Sequence, residues 1–588
     1  MARSQSTLLT SLIPSLHWMK SYRTSYLKHD GVAGITTAIM LIPQGMAYAL
    51  LAGLEPIMGL YASTLPLIAY ALLGTSRQLS VGPMAMSSLL MASSIQMLSK
   101  GEMIGADKLL LFAFLITLTV GGIQLLLGIF RLGGLVNLLS HPVVTGFTAA
   151  AALVIASSQL QHLVQIKELG GKAPYEQVIY LLQHLSDIHT PTIILSVISI
   201  LSLVLIKKYA PKLPSAIIVV IVSMILAYAF KFDQWHITLL GEIPSGLPSI
   251  SIPNGFAIND IMQIVPSCIA IALVAFMESI SGAKVYARQN KYTLSPSQEL
   301  IALGSSNIAA SVVQGCVVGG ALSRTAVNAD AGAKTPMANI ITALIIAFTL
   351  AYMTAPFAFL ATPVLAAMIV VAVVSLIDFE EFKHLWKVKH DDFIICCLTF
   401  LATLFLSVTT GILVGVLASL LWLGFSTTRP DISVLGKLPN TNSYRSISHF
   451  EEVETYDRIL IMRMDAQFFF GNVAYLKDAL YDHLHETPDA VALVLDASSM
   501  NALDSTASDA FVGLIKDLRQ QGVEIMISHV KGSVIEVMRK SGLIDILGKG
   551  HMYYEVHDAV LAALRHRDAV DEGIHLENEE FGDDDCVD

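Results

Sequence analysis

Charge is what this sequence has least of. Asp, Glu, Lys and Arg make up 14% of its 588 residues, against about 25% in a soluble globular protein, which excludes one large water-soluble body. Cysteine is sparse too: Cys268, Cys316, Cys396, Cys397 and Cys586 show neither metal-ligand spacing nor an even disulfide framework. They read as membrane packing plus one tail thiol, and no metal or cofactor is expected. No glycine-rich nucleotide cradle or catalytic triad occurs, so nothing points to an enzyme. The opening segment, MARSQSTLLTSLIPSLHWMKSYRTSYLKHD, has no compact apolar core followed by a small-residue cleavage site. The first span itself is therefore expected to direct insertion. The net charge of −11 owes much to the acidic end DEGIHLENEEFGDDDCVD, so it carries no argument for a basic ligand, and no nucleic-acid partner is expected.

What is abundant is hydrophobicity, at 54% of residues and a mean hydropathy of +0.63. Apolar runs follow one another from Gly31 to Phe425 with short polar breaks. A crossing takes about 20 residues, and the runs amount to about fourteen candidate spans, several too short to cross alone. The clearest are 31–51, 109–130, 143–163, 193–206, 217–230, 261–282, 340–360, 363–377 and 393–425, the last long enough for two. Basic clusters precede the first span (Arg3, Lys20, Arg23, Lys28) and recur at Arg131, Lys207/Lys208/Lys212, Lys284/Arg288/Lys291 and Lys383/Lys387/Lys389. Each recurrence follows an even-numbered crossing, so that side, with both termini, is expected to be cytoplasmic and the membrane the cell (inner) membrane.

Composition changes near Phe425. RILIMRMDAQFFFG, AVALVLDASSM and VEIMISHV read as strands, with helices over 474–485 and 505–520. The expected organisation is a cytoplasmic segment 1–30, a transmembrane domain 31–425, a linker and start of the soluble region 426–456, a soluble α/β domain 457–566 and a disordered acidic tail 567–588.

The stretch LIPQGMAYALLAGLEPIMGLYASTLPLIAYALLGTSRQLSVGP, Leu41 to Pro83, resembles the signature of the sulfate permease (SulP) family of anion transporters. SHPVVTGFTAAAAL and ALSRTAVNADAGAKT resemble its later motifs, and VALVLDASSMNALDSTASDAF resembles the STAS domain that closes those proteins. The resemblance covers nearly the whole chain in the expected order. It implies a polytopic α-helical membrane protein of about fourteen helices, built as two inverted seven-helix repeats, with a soluble α/β STAS domain and commonly a homodimer. It also implies two half-helices, the third and tenth, whose N-termini face each other around the anion at mid-membrane.

The residues themselves agree. SVGP, ending at Pro83, and GGALS, ending at Ser323, each place glycine before an apolar segment too short to span, the pattern of discontinuous transporter helices. A helix N-terminus presents unpaired N–H groups and about +0.5 charge, so two aimed at one cavity form an anion site. Arg324, in the first turn of the second half-helix, adds a full charge. Its burial costs about 2.5–3.5 kcal/mol, which a bound anion, or Glu278 when the site is empty, would offset. By resemblance, Gln44 and Tyr48 line the anion site, Met84 stands where several members have phenylalanine, Ser323 meets the anion, and Glu278 occupies the carboxylate position of the eighth helix. Sodium-coupled relatives tend to have aspartate there with threonine four positions later. Here Glu278 is followed by Gly282, so coupling to protons is expected.

Plainer roles compete at each position. Arg324 would serve as an interface anchor, Gln44 and Tyr48 as glue between helices, and Glu278 as a structural partner of Arg324. Asp504 and Ser505 match the aspartate-serine pair where stand-alone STAS switch proteins are phosphorylated, yet an N-cap alone explains them. The expected function is secondary active transport of a small anion, with sulfate first, by alternating access through the lipid bilayer. Bicarbonate or a dicarboxylate is the alternative cargo. A membrane-tethered STAS signalling protein with little flux, acting on a cytoplasmic protein partner, is the alternative of another class.

Overall fold

The computed structural model describes residues 14–99, 105–134, 140–169, 173–210, 214–252, 258–450 and 452–572. Cys586 and most of the acidic tail lie outside them. The chain divides into two compact units, Met1–Ser419 and Leu420–Asp588.

In the first unit, apolar runs become helices because a bilayer offers no partner to a free backbone N–H or C=O. Eight helices among the described residues are long and apolar enough to cross, and the shorter apolar helices are Ala85–Leu98, Ser215–Phe230 and Met337–Tyr352. The first spanning helix, Thr24–Leu51, starts seven residues before the expected Gly31 and takes Asp30 with it. The expected run 340–360 is cut short: its helix ends at Tyr352 and a 3-10 turn, Ala355–Phe359, follows. Pro356 accounts for this: it has no N–H to donate to the Tyr352 carbonyl four residues back, and in a continued helix its ring would clash with that carbonyl. The long run 393–425 resolves into His390–Phe405 and Val408–Thr428. Helices Ala106–Ile129 and Pro296–Val312 meet backbone to backbone. A Cβ on Gly304 would stand 2.6 Å from the Leu125 nitrogen, and one on Gly121 2.8 Å from that of Ile308. Only glycine permits that approach.

Two three-residue strands interrupt this helical unit: β1 (Val81–Pro83) and β2 (Val318–Gly320) pair antiparallel, Gly82 opposite Gly319, and all six residues are buried. Each leads into a half-helix, Ala85–Leu98 after β1 and Leu322–Asp330 after β2. Pro83 opposite Val318 and Gly320 opposite Val81 put the two exits at opposite ends of a ribbon roughly 7 Å long.

Two buried carboxylates, unremarked in the sequence, hold the neighbouring loops. Glu299 accepts from the Tyr70 hydroxyl (2.7 Å) and the Thr75 and Ser76 nitrogens (2.7 and 3.0 Å), fixing the segment that leads into β1. Asp30 accepts from the Lys334 and Thr335 nitrogens (2.7 and 3.1 Å) and the Thr335 hydroxyl (2.7 Å), fixing the turn after the second half-helix.

The second unit is a six-stranded sheet in the order β4-β3-β5-β6-β7-β8: Ile432–Lys437 (β3), Tyr444–Ser446 (β4), Ile459–Met464 (β5), Ala492–Asp496 (β6), Glu524–Ser528 (β7) and Met552–Tyr553 (β8). β5 to β8 run parallel, and β3 is antiparallel to both its neighbours. Alternate residues face opposite cores. Leu493, Leu495, Ile525 and Ile527 pack on helices that include Val473–Glu486 and Ser505–Gln520, whereas Ala492, Val494 and Met526 pack on Val556–Glu572. The α/β body thus begins at β3, inside the stretch read as linker and start of the soluble region, and its last helix runs to Glu572, six residues past the expected boundary.

Candidate functional site

Backbone that is neither helical nor hydrated must be satisfied by side chains when it lies inside a membrane protein, and β1 and β2 show how this is done. On the β1 side, Asn328 Nδ2 donates to the Gln78 carbonyl (2.8 Å), Asn339 Nδ2 to that of Leu79 (2.8 Å), and the Ser80 nitrogen to Thr325 Oγ1 (3.2 Å). On the β2 side, Asn307 and Ser279 take the outward-facing groups. Small residues let the strands pack closely: a Cβ on Gly82 would lie 3.0 Å from Leu41 Cδ1 and 3.3 Å from Arg324 Nη2.

Arg324 answers the remaining carbonyls. Fully buried, it donates from Nη1 to Pro83 (3.1 Å), from Nη2 to Gly319 (3.2 Å) and Ser80 (3.4 Å), and from Nε to Ser80 (3.4 Å). It is no interface anchor. The pairing expected with Glu278 is not formed either, because the guanidinium's donors already meet three converging carbonyls and Glu278 Oε2 is buried without a hydrogen-bond partner. A planar fork of five donors suits such a task, and an ammonium does not.

Neither half-helix has a side-chain cap. Met84 and Ala321 hold the N-cap positions in extended conformations, with no side-chain hydrogen bond to the first turn. The leading N–H groups of both helices are therefore left to whatever enters.

A cavity of about 230 Å³ lies against both ends. Met86 in the first turn of one half-helix and Leu322, the first residue of the other, line it, as do Glu278 and Ser281 one turn apart on helix Ile258–Gln289. Its far wall includes Phe147 and Thr148 of helix His141–Ser158. The wall is mostly apolar with a few polar groups. Of the residues singled out in the sequence, Glu278 alone is in this wall. Ser323 is exposed, Met84 is buried with its thioether packed over Gly319, and Gln44 and Tyr48, half-buried and buried, stand one turn apart on Thr24–Leu51. Met86, Ser281 and Leu322 were not anticipated, although Ser281 follows Glu278 by three positions and so shares its helix face. Gly282 has no side-chain oxygen, and a Cβ there would already touch the Leu322 backbone at 3.5 Å.

In the α/β unit Asp504 is the N-cap of helix Ser505–Gln520. One carboxylate oxygen accepts from the Ala507 nitrogen (2.7 Å) and the other from that of Phe470 (2.8 Å). Ser505 is exposed.

Comparison with known proteins follows the same division. The sulfate permease family pattern matches residues 27–399 and that of the STAS domain residues 451–559. Probable sulfate transporter 4.2 of Arabidopsis thaliana is 34% identical over 577 residues, covering 95% of this chain and 84% of that protein. A probable sulfate transporter of Mycobacterium tuberculosis is 32% identical, covering 94% of this chain and 98% of its own. Among solved structures, the murine Solute Carrier 26 family member A9 anion transporter in its inward-facing state superposes with a TM-score of 0.87 at 24% identity, covering 95% of each chain. The transmembrane domain of the cyanobacterial bicarbonate transporter BicA superposes at 0.57 and 19% identity, covering 68% of this chain and 98% of that domain.

Proposed function

Since the chain belongs to the sulfate permease family, an integral membrane family of anion transporters, we propose that it carries sulfate by alternating access, binding it between the two half-helix N-termini. One observation carries the reading: both helices start, uncapped, at the ends of a single buried ribbon, and each puts a first-turn residue, Met86 or Leu322, into the wall of the same cavity. Backbone N–H groups supply directed donors, the two dipoles add partial positive charge, and Arg324 adds a full one beside them. Gln44, Tyr48, Met84 and Ser323 are assigned to shaping the path of the anion. Sulfate is preferred over bicarbonate because relatives 33–34% identical over 94–95% of this chain bear sulfate transporter names.

Glu278 is assigned to proton coupling. Its Oε2 is buried without a partner in the cavity wall, and Gly282 leaves the next turn without an oxygen for a hard cation, which needs several such ligands. The chain is assigned to the cell membrane with both termini cytoplasmic, on the distribution of Lys and Arg, and to a homodimer. Ser505, exposed in the first turn of its helix, is the assigned regulatory position, where a phosphate would meet the helix dipole.

The deciding experiment is uptake of radiolabelled sulfate into vesicles reconstituted with the full chain, with bicarbonate and dicarboxylates as competitors and an imposed proton gradient. Saturable uptake, blocked by excess cold sulfate and raised by a more acidic exterior, is the expected result. Absence of flux for every anion in the panel would favour the signalling alternative.

A further inference from the structure

We propose that Ser279 and Asn307 are positioning residues of the anion cradle: they grip the outer edge of β2 and so set where the second half-helix begins relative to Glu278. The inference rests on the reading of the ribbon as the anion site.

A two-stranded ribbon has two outer edges, each a row of unpaired N–H and C=O groups. Along β2 the Val318 N–H and C=O and the Gly320 N–H are taken by two side chains. Asn307 faces Val318 as a third strand would, its Oδ1 accepting from the Val318 nitrogen at 2.8 Å and its Nδ2 donating to the Val318 carbonyl at 3.0 Å. Ser279 Oγ accepts from the Gly320 nitrogen at 2.7 Å and donates to the Ala275 carbonyl at 2.5 Å. Both residues are at most 1% exposed, and neither is charged or in the cavity wall. A direct contact with the anion is therefore not their role.

The grip is anchored. Asn307 Nδ2 also reaches Gln124 Oε1 (2.9 Å), and Gln124 Nε2 donates to the Ala272 carbonyl (3.1 Å). Ala272, Ala275, Ser279 and Glu278 all belong to helix Ile258–Gln289. β2 is thus fastened to the helix of Glu278 twice, directly through Ser279 and by relay through Asn307 and Gln124. Glu278 adjoins Ser279, and Gly320 adjoins Ala321, the N-cap of the second half-helix. One hydrogen bond, with one residue on either side of it, separates the coupling carboxylate from the start of the anion-binding helix.

The test compares Ser279→Ala, which strands the Gly320 N–H, with Ser279→Thr, which keeps a hydroxyl, and with Asn307→Ala. Full-length variants are assayed for sulfate uptake in vesicles and for hydrogen exchange at the Gly320 amide. Ser279→Ala should raise KM about tenfold with maximal rate within about twofold, the scale of one buried hydrogen bond lost. It should speed Gly320 exchange while lowering the melting temperature by only a few degrees, and Ser279→Thr should restore both the KM and the exchange rate. Asn307→Ala should raise KM further. If Asn307→Ala does not fold, the Ser279 pair decides alone. A wild-type KM and unchanged Gly320 exchange in a folded Ser279→Ala protein would overturn the proposal while leaving the anion reading intact, and a wild type that carries no anion would overturn both.

Discussion

Arg324 serves two ends with one side chain: it closes the carbonyls of Ser80, Pro83 and Gly319 and leaves a full positive charge beside two helix N-termini. Lysine keeps the charge but cannot reach three carbonyls at once. Arg324→Lys should therefore cut sulfate uptake about tenfold and Arg324→Ala about a hundredfold, since each stranded buried acceptor costs about 1–3 kcal/mol. Vesicle uptake normalised to folded protein measures this, and wild-type flux in Arg324→Ala would remove Arg324 from the site. Glu278→Gln keeps the shape of the cavity wall and removes the proton. Uptake in this variant should persist but lose its dependence on external pH. An unchanged pH profile would assign coupling elsewhere. The residue types of this site are legible in the sequence, because an arginine between apolar runs and a carboxylate inside one both demand explanation. Their partners are not legible. Whether Arg324 meets Glu278 or a set of carbonyls depends on which strand ends converge on it, and no spacing along the chain encodes that.

At the level of elements, glycine before a short apolar run points to the half-helices, whereas the ribbon that orients them goes unseen. Three residues such as Val81–Pro83 are too few for a period-2 pattern. β3 escapes for a related reason: ISVLGK has only a weak alternation and sits beside polar turns, so within the stretch read as linker and start of the soluble region it does not stand out as a strand until β5 is found beside it. In the same sheet Glu524, at the start of β7, makes a chemical prediction. Burial raises its carboxyl pKa, but hydrogen bonds from His551 and Arg519 more than offset this, and the group ends below its ordinary value. A depressed carboxylate stabilises the fold fully above its unfolded pKa of about 4.3, and that contribution is lost as pH falls through the lower folded value. Glu524→Gln should therefore lower the melting temperature of the full chain's α/β unit at pH 7 and shrink the difference from wild type below about pH 4. A difference that stays constant with pH would show that the pairing adds nothing through charge.

On the scale of the whole molecule, the change of composition near Phe425 marks two bodies, and every residue assigned to anion binding lies in Met1–Ser419. A protein ending at Arg429 keeps helix Val408–Thr428 entire and stops before β3. It should bind sulfate within about twofold of the full chain in equilibrium titration, and loss of binding by a monodisperse truncated protein would show that the α/β unit shapes the site. The antiparallel ribbon has an electrical corollary. Because the strands that lead into them run antiparallel, the half-helix dipoles oppose each other, and a membrane potential acts chiefly on formal charges: Arg324, Glu278 and the cargo. A cycle that brings in one divalent sulfate with one proton moves a net charge of −1, so an inside-negative potential opposes it by about 2.3 kcal/mol per 100 mV. In vesicles clamped with valinomycin at about −100 mV, sulfate should accumulate about fiftyfold less than at zero potential. Accumulation indifferent to the clamp would mean that a second positive charge travels with the anion, and Glu278 could not then be its sole carrier.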